Sequence, residues 1–145
     1  MRLSVTKDVL RRLEFVDTAG LLGTRTAQSP LIREIAAQVS AYFRDPGFRF
    51  DLPLEDAPTG FQGRLRDALI GIEPGTVRTY GALARELGSS ARAIGGGCRS
   101  NPVPLVVPCH RVVSASGVGG FMGRTDGPPL GRKRRLLRHE GFEPG

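Results

Sequence analysis

Proline and glycine limit this chain to short elements, because they fall wherever a longer one would run. Most of the 20 glycines and 11 prolines among 145 residues gather at Asp45-Pro46-Gly47, in DLPLEDAPTG (51–60), at Glu73-Pro74-Gly75, at Gly95-Gly96-Gly97, through NPVP (101–104) to Pro108, and over 114–131. Such clusters are expected to end or bend a regular element. Short strands and helices of a few turns are what fits between them, in one ordinary domain or two small ones sharing a core. A large α/β barrel is excluded, and no stretch approaches the ~20 apolar residues of a membrane-spanning helix. With 39% hydrophobic and 24% charged residues, the chain has enough apolar surface to fold and is not of the disordered class.

The N-terminal run MRLSVTKDVLRRLEFVD puts charges through its apolar positions and does not read as a signal peptide. Two cysteines cannot build a disulfide scaffold, so a reducing, cytoplasmic setting is expected. Charge is divided unevenly. Residues 1–60 hold 8 Lys+Arg against 8 Asp+Glu, whereas residues 61–145 hold 13 against 6 and so carry the whole net charge of +7. Only Lys7 and Lys133 are lysines; the other 19 cations are arginines. A GC-rich genome accounts for much of that ratio but not for the asymmetry. A basic half beside a neutral half points to a polyanion, with nucleic acid first.

Residues 1–58 read as a small mixed α and β unit and 59–145 as a mainly helical one, with 51–60 as the linker. Leu3–Val5, Leu13–Val16 and Phe48–Leu52 are strand-like. Ser29-Pro30 opens a helix to Phe43 whose stripe is Leu31, Ile35, Val39, Tyr42 and Phe43. After the linker, Phe61, Leu65, Ala68, Leu69 and Ile72 form a second stripe. Thr79 can cap a short helix bearing Tyr80, Leu83, Ala84 and Leu87; Gly88 ends it, and Ser89-Ser90 can cap another over 91–99. Two short helices about a Gly-containing turn have the outline of a helix-turn-helix, an outline any helical hairpin shares. The three consecutive glycines leave 91–99 open between a loop and a helix that must approach something closely. A last helix is expected over Arg132–His139, stopped by Gly141.

In NPVPLVVPCHRVV (101–113), Leu105-Val106-Val107 is a buried-strand candidate running into Pro108, which fixes the backbone before Cys109-His110-Arg111. A thiol among cationic neighbours is a candidate for a depressed pKa and hence for the reactive thiolate; histidine supplies a base near neutral pH, and a carboxylate can orient it. The plain alternative is a cysteine buried as a small hydrophobe. Cys98, Cys109, His110 and His139 lack the spacing of a zinc site, so no metal is expected, and a Cys98–Cys109 disulfide is disfavoured in a reducing compartment.

The run ARAIGGGCRSNPVPLVVPCHRVV (91–113) resembles the active-site signature of the O6-alkylguanine-DNA alkyltransferases (methylated-DNA–protein-cysteine methyltransferases). TVRTYGALA (76–84), SASGVGGF (114–121) and LLRHEG (136–141) resemble that family's Tyr-bearing helix, pocket loop and closing helix, so the resemblance covers roughly 61–141. It implies an α+β fold with a ribonuclease-H-like N-terminal domain and a winged-helix-like domain containing a helix-turn-helix. It also implies single-turnover repair of DNA: an alkyl group passes irreversibly from the O6 of a flipped guanine, or from O4-alkylthymine, to Cys109. His110 would take the thiol proton through a water, Glu140 would polarise His110, and Asn101 would brace the turn. Tyr80 would hydrogen-bond the departing guanine. Carbonyls of Cys109 and Val112 would read its amino group, with Pro104, Phe121 and Met122 about the alkyl pocket. Arg92 would be the finger that replaces the flipped base, on a minor-groove helix with Ala93, Gly95 and Arg99, and Thr79 would also contact DNA. Composition alone would make Arg92 a solvated arginine. No cofactor is implied; the partner is double-stranded DNA bearing alkylated guanine, and the protein is a monomer, nucleoid-associated when on DNA.

Three departures stand out. Arg66 replaces a common Trp, Phe121-Met122 replaces a Tyr and a small residue, and RTDGPPLG (124–131) is inserted before Lys133. The first changes packing, and the second bears on alkyl-group size. A non-enzymatic lesion-binding protein of the same fold is the alternative, distinguished by another residue where Cys109 stands. A plain helix-turn-helix protein leaves the Pro-Cys-His-Arg-Val run unexplained, and a Cys-His hydrolase lacks an oxyanion arrangement.

Overall fold

The computed structural model describes residues 2–6, 8–15, 29–119 and 127–143. Phe121, Met122 and residues 124–126 of the insertion lie outside them. The order is β1 (Arg2–Val5), β2 (Leu10–Glu14), α1 (Pro30–Arg44), α2 (Gly60–Ile70), β3 (Arg78–Thr79), α3 (Tyr80–Leu87), α4 (Ala91–Arg99), a 3-10 turn (Cys109–Arg111), β4 (Val112–Val113) and α5 (Gly127–His139). The fold is α+β, with helices carrying most of it. Among the described residues no helix is long and apolar enough to cross a membrane.

β1 and β2 form an antiparallel pair in which Leu3 faces Leu13. The other edge of β2 is bonded by two distant segments: Leu10 N–H donates to Pro53 O, Glu55 N–H to Leu10 O, and Leu13 N–H to Pro102 O. Strand β2 therefore touches the chain one residue after Asn101. The alternating run Phe48–Leu52 is not a strand. The Gln38 side chain donates to Asp51 O and accepts from Asp51 N–H at 2.9 and 2.8 Å. A side-chain amide thus takes the place of a ladder partner. Ser29 caps α1 by accepting from Ile32 N–H, and the helix buries Ile35, Gln38 and Tyr42; Phe43, expected on the same stripe, is 48% exposed.

One hydrophobic cluster takes Leu10, Leu13, Ile35 and Tyr42 from the first 58 residues and Leu65, Leu69, Leu83, Ile94 and Val112 from the rest. The core is thus continuous across residue 58. Beyond it, Thr79 accepts from Ala82 N–H to cap α3, and Ser90 from Ala93 N–H to cap α4. β3 pairs in parallel with β4, Thr79 opposite Val113, which sets the start of α3 beside the Cys109 turn.

The glycine run is helical throughout. Three glycines cost a helix roughly 3 kcal/mol relative to alanines, and burying Ile94 and capping at Ser90 return about the same amount. The three positions differ. A Cβ at Gly97 would overlap the Leu65 side chain of α2, whereas Gly95 and Gly96 have nothing within 4 Å. Close approach at Gly97 is therefore to the protein's own core, and only Gly95 and Gly96 face open space. Gly97→Ala should destabilise the fold by about 1–3 kcal/mol through overpacking, while Gly96→Ala should be neutral or stabilising by up to ~1 kcal/mol; urea unfolding of the two variants checks the contrast.

Candidate active site around Cys109

The segment expected as a strand, Leu105–Val107, is instead a tight turn. Val107 N–H donates to Val103 O at 3.0 Å, and Leu105, fully buried, has φ +77°. A left-handed leucine costs about 1–2 kcal/mol, so the turn must be held from outside. Asn101 holds it: its Nδ2 donates to Val107 O at 2.9 Å and its Oδ1 accepts from Val103 N–H at 3.0 Å. Pro108 then leads into the 3-10 turn that buries Cys109, His110 and Arg111 together.

The C-terminal end of α5 delivers the carboxylate. Gly141 N–H donates to Arg138 O and Phe142 N–H to Leu137 O, with Gly141 at φ +92°. This is a Schellman cap, which only a residue tolerant of the left-handed region closes cheaply. It leaves Glu140 as the cap residue, 6% exposed. Glu140 Oε2 accepts from His110 Nε2 at 2.7 Å, Tyr42 Oη at 2.7 Å and Arg111 Nη2 at 2.9 Å; Oε1 accepts from Arg111 Nε at 2.8 Å. Arg111 Nη1 donates to Ile72 O at 2.6 Å.

This geometry fixes the histidine tautomer. An ionised carboxylate only accepts, so the hydrogen sits on Nε2. Burial lowers the pKa of His110 despite the pull of Glu140, which keeps the ring neutral. Nδ1 is then a bare acceptor, and it is buried with no hydrogen-bond partner among the described residues. Burial works against ionisation of Glu140, but the hydrogen bonds from His110 and Arg111 and the charge of Arg111 outweigh it and hold the carboxyl down to about 2.

Cys109 is 3% exposed, and its pKa is raised rather than depressed. Burial is the larger effect; the Asn101 amide and the charge of Lys133 oppose it without overcoming it. The expectation of a depressed thiol pKa therefore fails in the closed site, because adjacent cations in sequence are not adjacent cations in space: Arg111 is spent on Glu140. Cys98 is likewise pushed up to about 12 by burial and then by Cys109.

The cation that does face the thiol is Lys133, fully buried on α5. Burial brings it down to about 8, against the raising influence of Cys109 and Cys98. Its Nζ donates to Val112 O at 2.6 Å and lies 5.8 Å from the Tyr80 ring centroid. The Val112 carbonyl is thus already engaged by an ammonium, with one lone pair to spare. Gly119 sits against Tyr80: at φ +78°, a Cβ there would be 3.0 Å from the ring and 3.4 Å from the hydroxyl. Pro104 is buried. Arg92 and Arg99 are exposed near the two ends of α4, with Ala93 and Gly95 half-buried between them. Thr79 is committed to capping α3. No group of three or more His, Cys, Asp or Glu among the described residues could hold a metal ion.

Three members of this cluster were not legible as such. Lys133 has a signal in hindsight, since Leu130, Lys133, Leu136 and Leu137 share helical spacing, which puts a lysine on a buried face. Arg111 was visible only as a neighbour of Cys109, and Tyr42 only as part of an apolar stripe.

The Glu140 carboxyl, ordinarily near 4.5 and here about 2, stabilises the fold above its unfolded pKa. That contribution is lost as pH falls from about 4.5 towards 2. The melting temperature should drop across that window. Glu140→Gln should flatten the drop while costing about 3–5 kcal/mol at neutral pH, because Arg111 keeps a buried charge without its counter-ion; thermal melts at stepped pH values measure both.

Known proteins resemble this chain over most of its length. The profile described as "6-O-methylguanine DNA methyltransferase, DNA binding domain" matches residues 60–142. The methylated-DNA–protein-cysteine methyltransferase of Archaeoglobus fulgidus is 36% identical over 111 residues, covering 74% of this chain and 74% of that protein. The protein of that name from Mycobacterium bovis is 41% identical over 106 residues, or 71% of this chain, and the chain spans only 61% of its length. The crystal structure of Mycobacterium tuberculosis OGT in complex with DNA superposes with a TM-score of 0.72 at 33% identity, covering 96% of this chain and 85% of that one. The chain belongs to the 6-O-methylguanine-DNA methyltransferase (methylated-DNA–protein-cysteine methyltransferase) family.

Proposed function

We propose that this chain repairs alkylated DNA by moving the alkyl group from guanine O6 to Cys109, once per molecule. The observation that carries this reading is a buried thiol in the same turn as His110, whose Nδ1 is free to accept and whose Nε2 is fixed on Glu140. The thiol proton passes to His110 Nδ1 through one water, and Glu140 stabilises the imidazolium formed. The Sγ lone pair attacks the alkyl carbon; the carbon–O6 bond breaks and its electrons stay on guanine, whose developing charge accepts a hydrogen bond from the Tyr80 hydroxyl and is finally neutralised when the proton held by His110 passes through water to the guanine. Lys133, pinned to Val112 O, supplies the positive charge that the transient thiolate needs. A thioether is not readily reversed, so no turnover follows. O4-alkylthymine presents a comparable alkyl oxygen.

The arginine-rich half supplies the DNA contact. α3 and α4 act as a helix-turn-helix, with Arg92 filling the space of the flipped nucleotide and Arg99 on a phosphate. Gly95 and Gly96, open on their outer side, let α4 lie close to the groove. Residues 1–58 serve as a ribonuclease-H-like support and 59–145 as the winged-helix-like reactive unit, in a cytoplasmic monomer that joins the nucleoid on DNA.

Duplex DNA carrying a labelled O6-methylguanine tests the reading. Mass spectrometry should find one methyl group on Cys109 per protein molecule and no further turnover. Label retained on the DNA would instead make the protein a lesion-binding relative. Cys109→Ala should abolish transfer and keep lesion binding. Arg92→Ala should slow repair of duplex far more than reaction with a free alkylguanine base, and equal rates would remove the finger role. Lys133→Met should slow single-turnover transfer near neutral pH by at least about tenfold, the equivalent of one pKa unit on the thiol.

A further inference from the structure

The N-terminal helix reaches into the relay. Tyr42, 98 positions before Glu140 in sequence, donates its hydroxyl to Glu140 Oε2 at 2.7 Å, the same oxygen that receives His110 Nε2 at 2.7 Å. Tyr42 is fully buried, and its ring is packed by Phe50 at 5.6 Å and His139 at 4.8 Å. Its backbone is fixed as well, since His139 Nε2 bonds Tyr42 O at 2.7 Å. Burial and then the Glu140 carboxylate push the phenol far above its ordinary range, so it remains a donor.

We infer that Tyr42 is a positioning residue of the proton relay, its hydroxyl sharing Glu140 Oε2 with His110 and so setting how strongly that carboxylate pulls on the imidazole. The inference rests on the reading of His110 as the base. The groups facing the pair are few: Arg111 in the 3-10 turn, Tyr42 on α1, and Lys133 on α5, which acts on His110 and also faces Cys109 and Cys98. His139 touches the pair only through Tyr42. Among these, Arg111 is spread over both carboxylate oxygens and over Ile72 O. Tyr42 alone is a neutral donor on the oxygen that holds the histidine. When three donors share one oxygen, each receives less of its charge. Removing the phenol hydroxyl concentrates the charge on His110, stabilises the imidazolium and leaves less of the neutral base at acidic pH. α1 thereby acts on the pH range of transfer as well as on packing.

The test compares wild type, Tyr42→Phe and protein carrying 3-fluorotyrosine at position 42, which keeps ring and hydroxyl but donates more strongly. Two readouts are taken: single-turnover methyl transfer against pH, and the NMR titration of the His110 ring, assigned with His139→Gln because the chain has 2 histidines. In Tyr42→Phe the acid limb and the His110 titration should both move up by about half a unit, so that transfer below the limb is about threefold slower. The fluorinated protein should move both the other way. A lowered melting temperature with an unshifted His110 titration in both proteins overturns the inference and leaves Tyr42 a packing residue. If Tyr42→Phe does not fold, the direction of the fluorinated protein's shift decides. If wild type transfers no methyl group, the proposed function fails, and the His110 titration still tests the sharing of Glu140.

Discussion

The carboxylate of Glu140 is the point at which separate parts of the chain become one site. It accepts from α1 through Tyr42 and from the 3-10 turn through His110 and Arg111, and it is itself placed by the cap of α5. Burying Arg111 or Glu140 alone would be costly, and a buried pair is worth keeping only when its remaining hydrogen bonds are satisfied. Here they are: both carboxylate oxygens are occupied, and the third guanidinium nitrogen reaches Ile72 O. The pair is close to neutral as a unit. That lets His110 stay uncharged beside it, oriented but not protonated.

The nucleophile is governed by the opposite balance. A cysteine activated at rest would sit in an electropositive, wet pocket and react with any electrophile in the cell. Cys109 is buried, which favours the thiol; on the proposed reading, activation depends on the relay and on Lys133 at the moment an alkyl carbon is in place. On the proposed single-turnover reading, a nucleophile spent once has reason to be kept silent. Selectivity then lies in what can be brought into the site rather than in the intrinsic reactivity of the sulfur.

Helix starts follow from local chemistry alone. Ser29-Pro30, Thr79 and Ser90 each start a helix, because a side-chain oxygen needs only a backbone N–H three residues on. Periodicity failed where a distant group intervened. Phe48–Leu52 alternates like a strand, but Gln38 satisfies Asp51. Leu105–Val107 is as apolar as a strand, but Asn101 holds it bent about a left-handed leucine. The part of 124–131 expected as an extended loop begins α5 at Gly127. At the site, Cys109, His110, Asn101 and Glu140 could be named from the residues and the family they resemble. Tyr42 could not, because nothing in one sequence says which face of α1 meets a residue 98 positions away. The thiol's raised pKa was equally hidden, since burial is a property of the assembled core.

The cap that places Glu140 also fixes when the site can exist. Tyr42, Asn101, Cys109, Arg111 and Lys133 all precede Glu140 in the chain, so during synthesis the thiol and its guanidinium neighbour leave the ribosome first. Until residue 140 follows and α5 winds to its glycine stop, Arg111 has no buried counter-ion, and the 3-10 turn has no reason to bury it. The contact that completes the site spans 98 residues, a long loop whose closure is slow and must precede its reward. The burial of Arg111 beside Cys109 therefore depends on the last turn of α5, since its counter-ion Glu140 is placed only when that turn is closed.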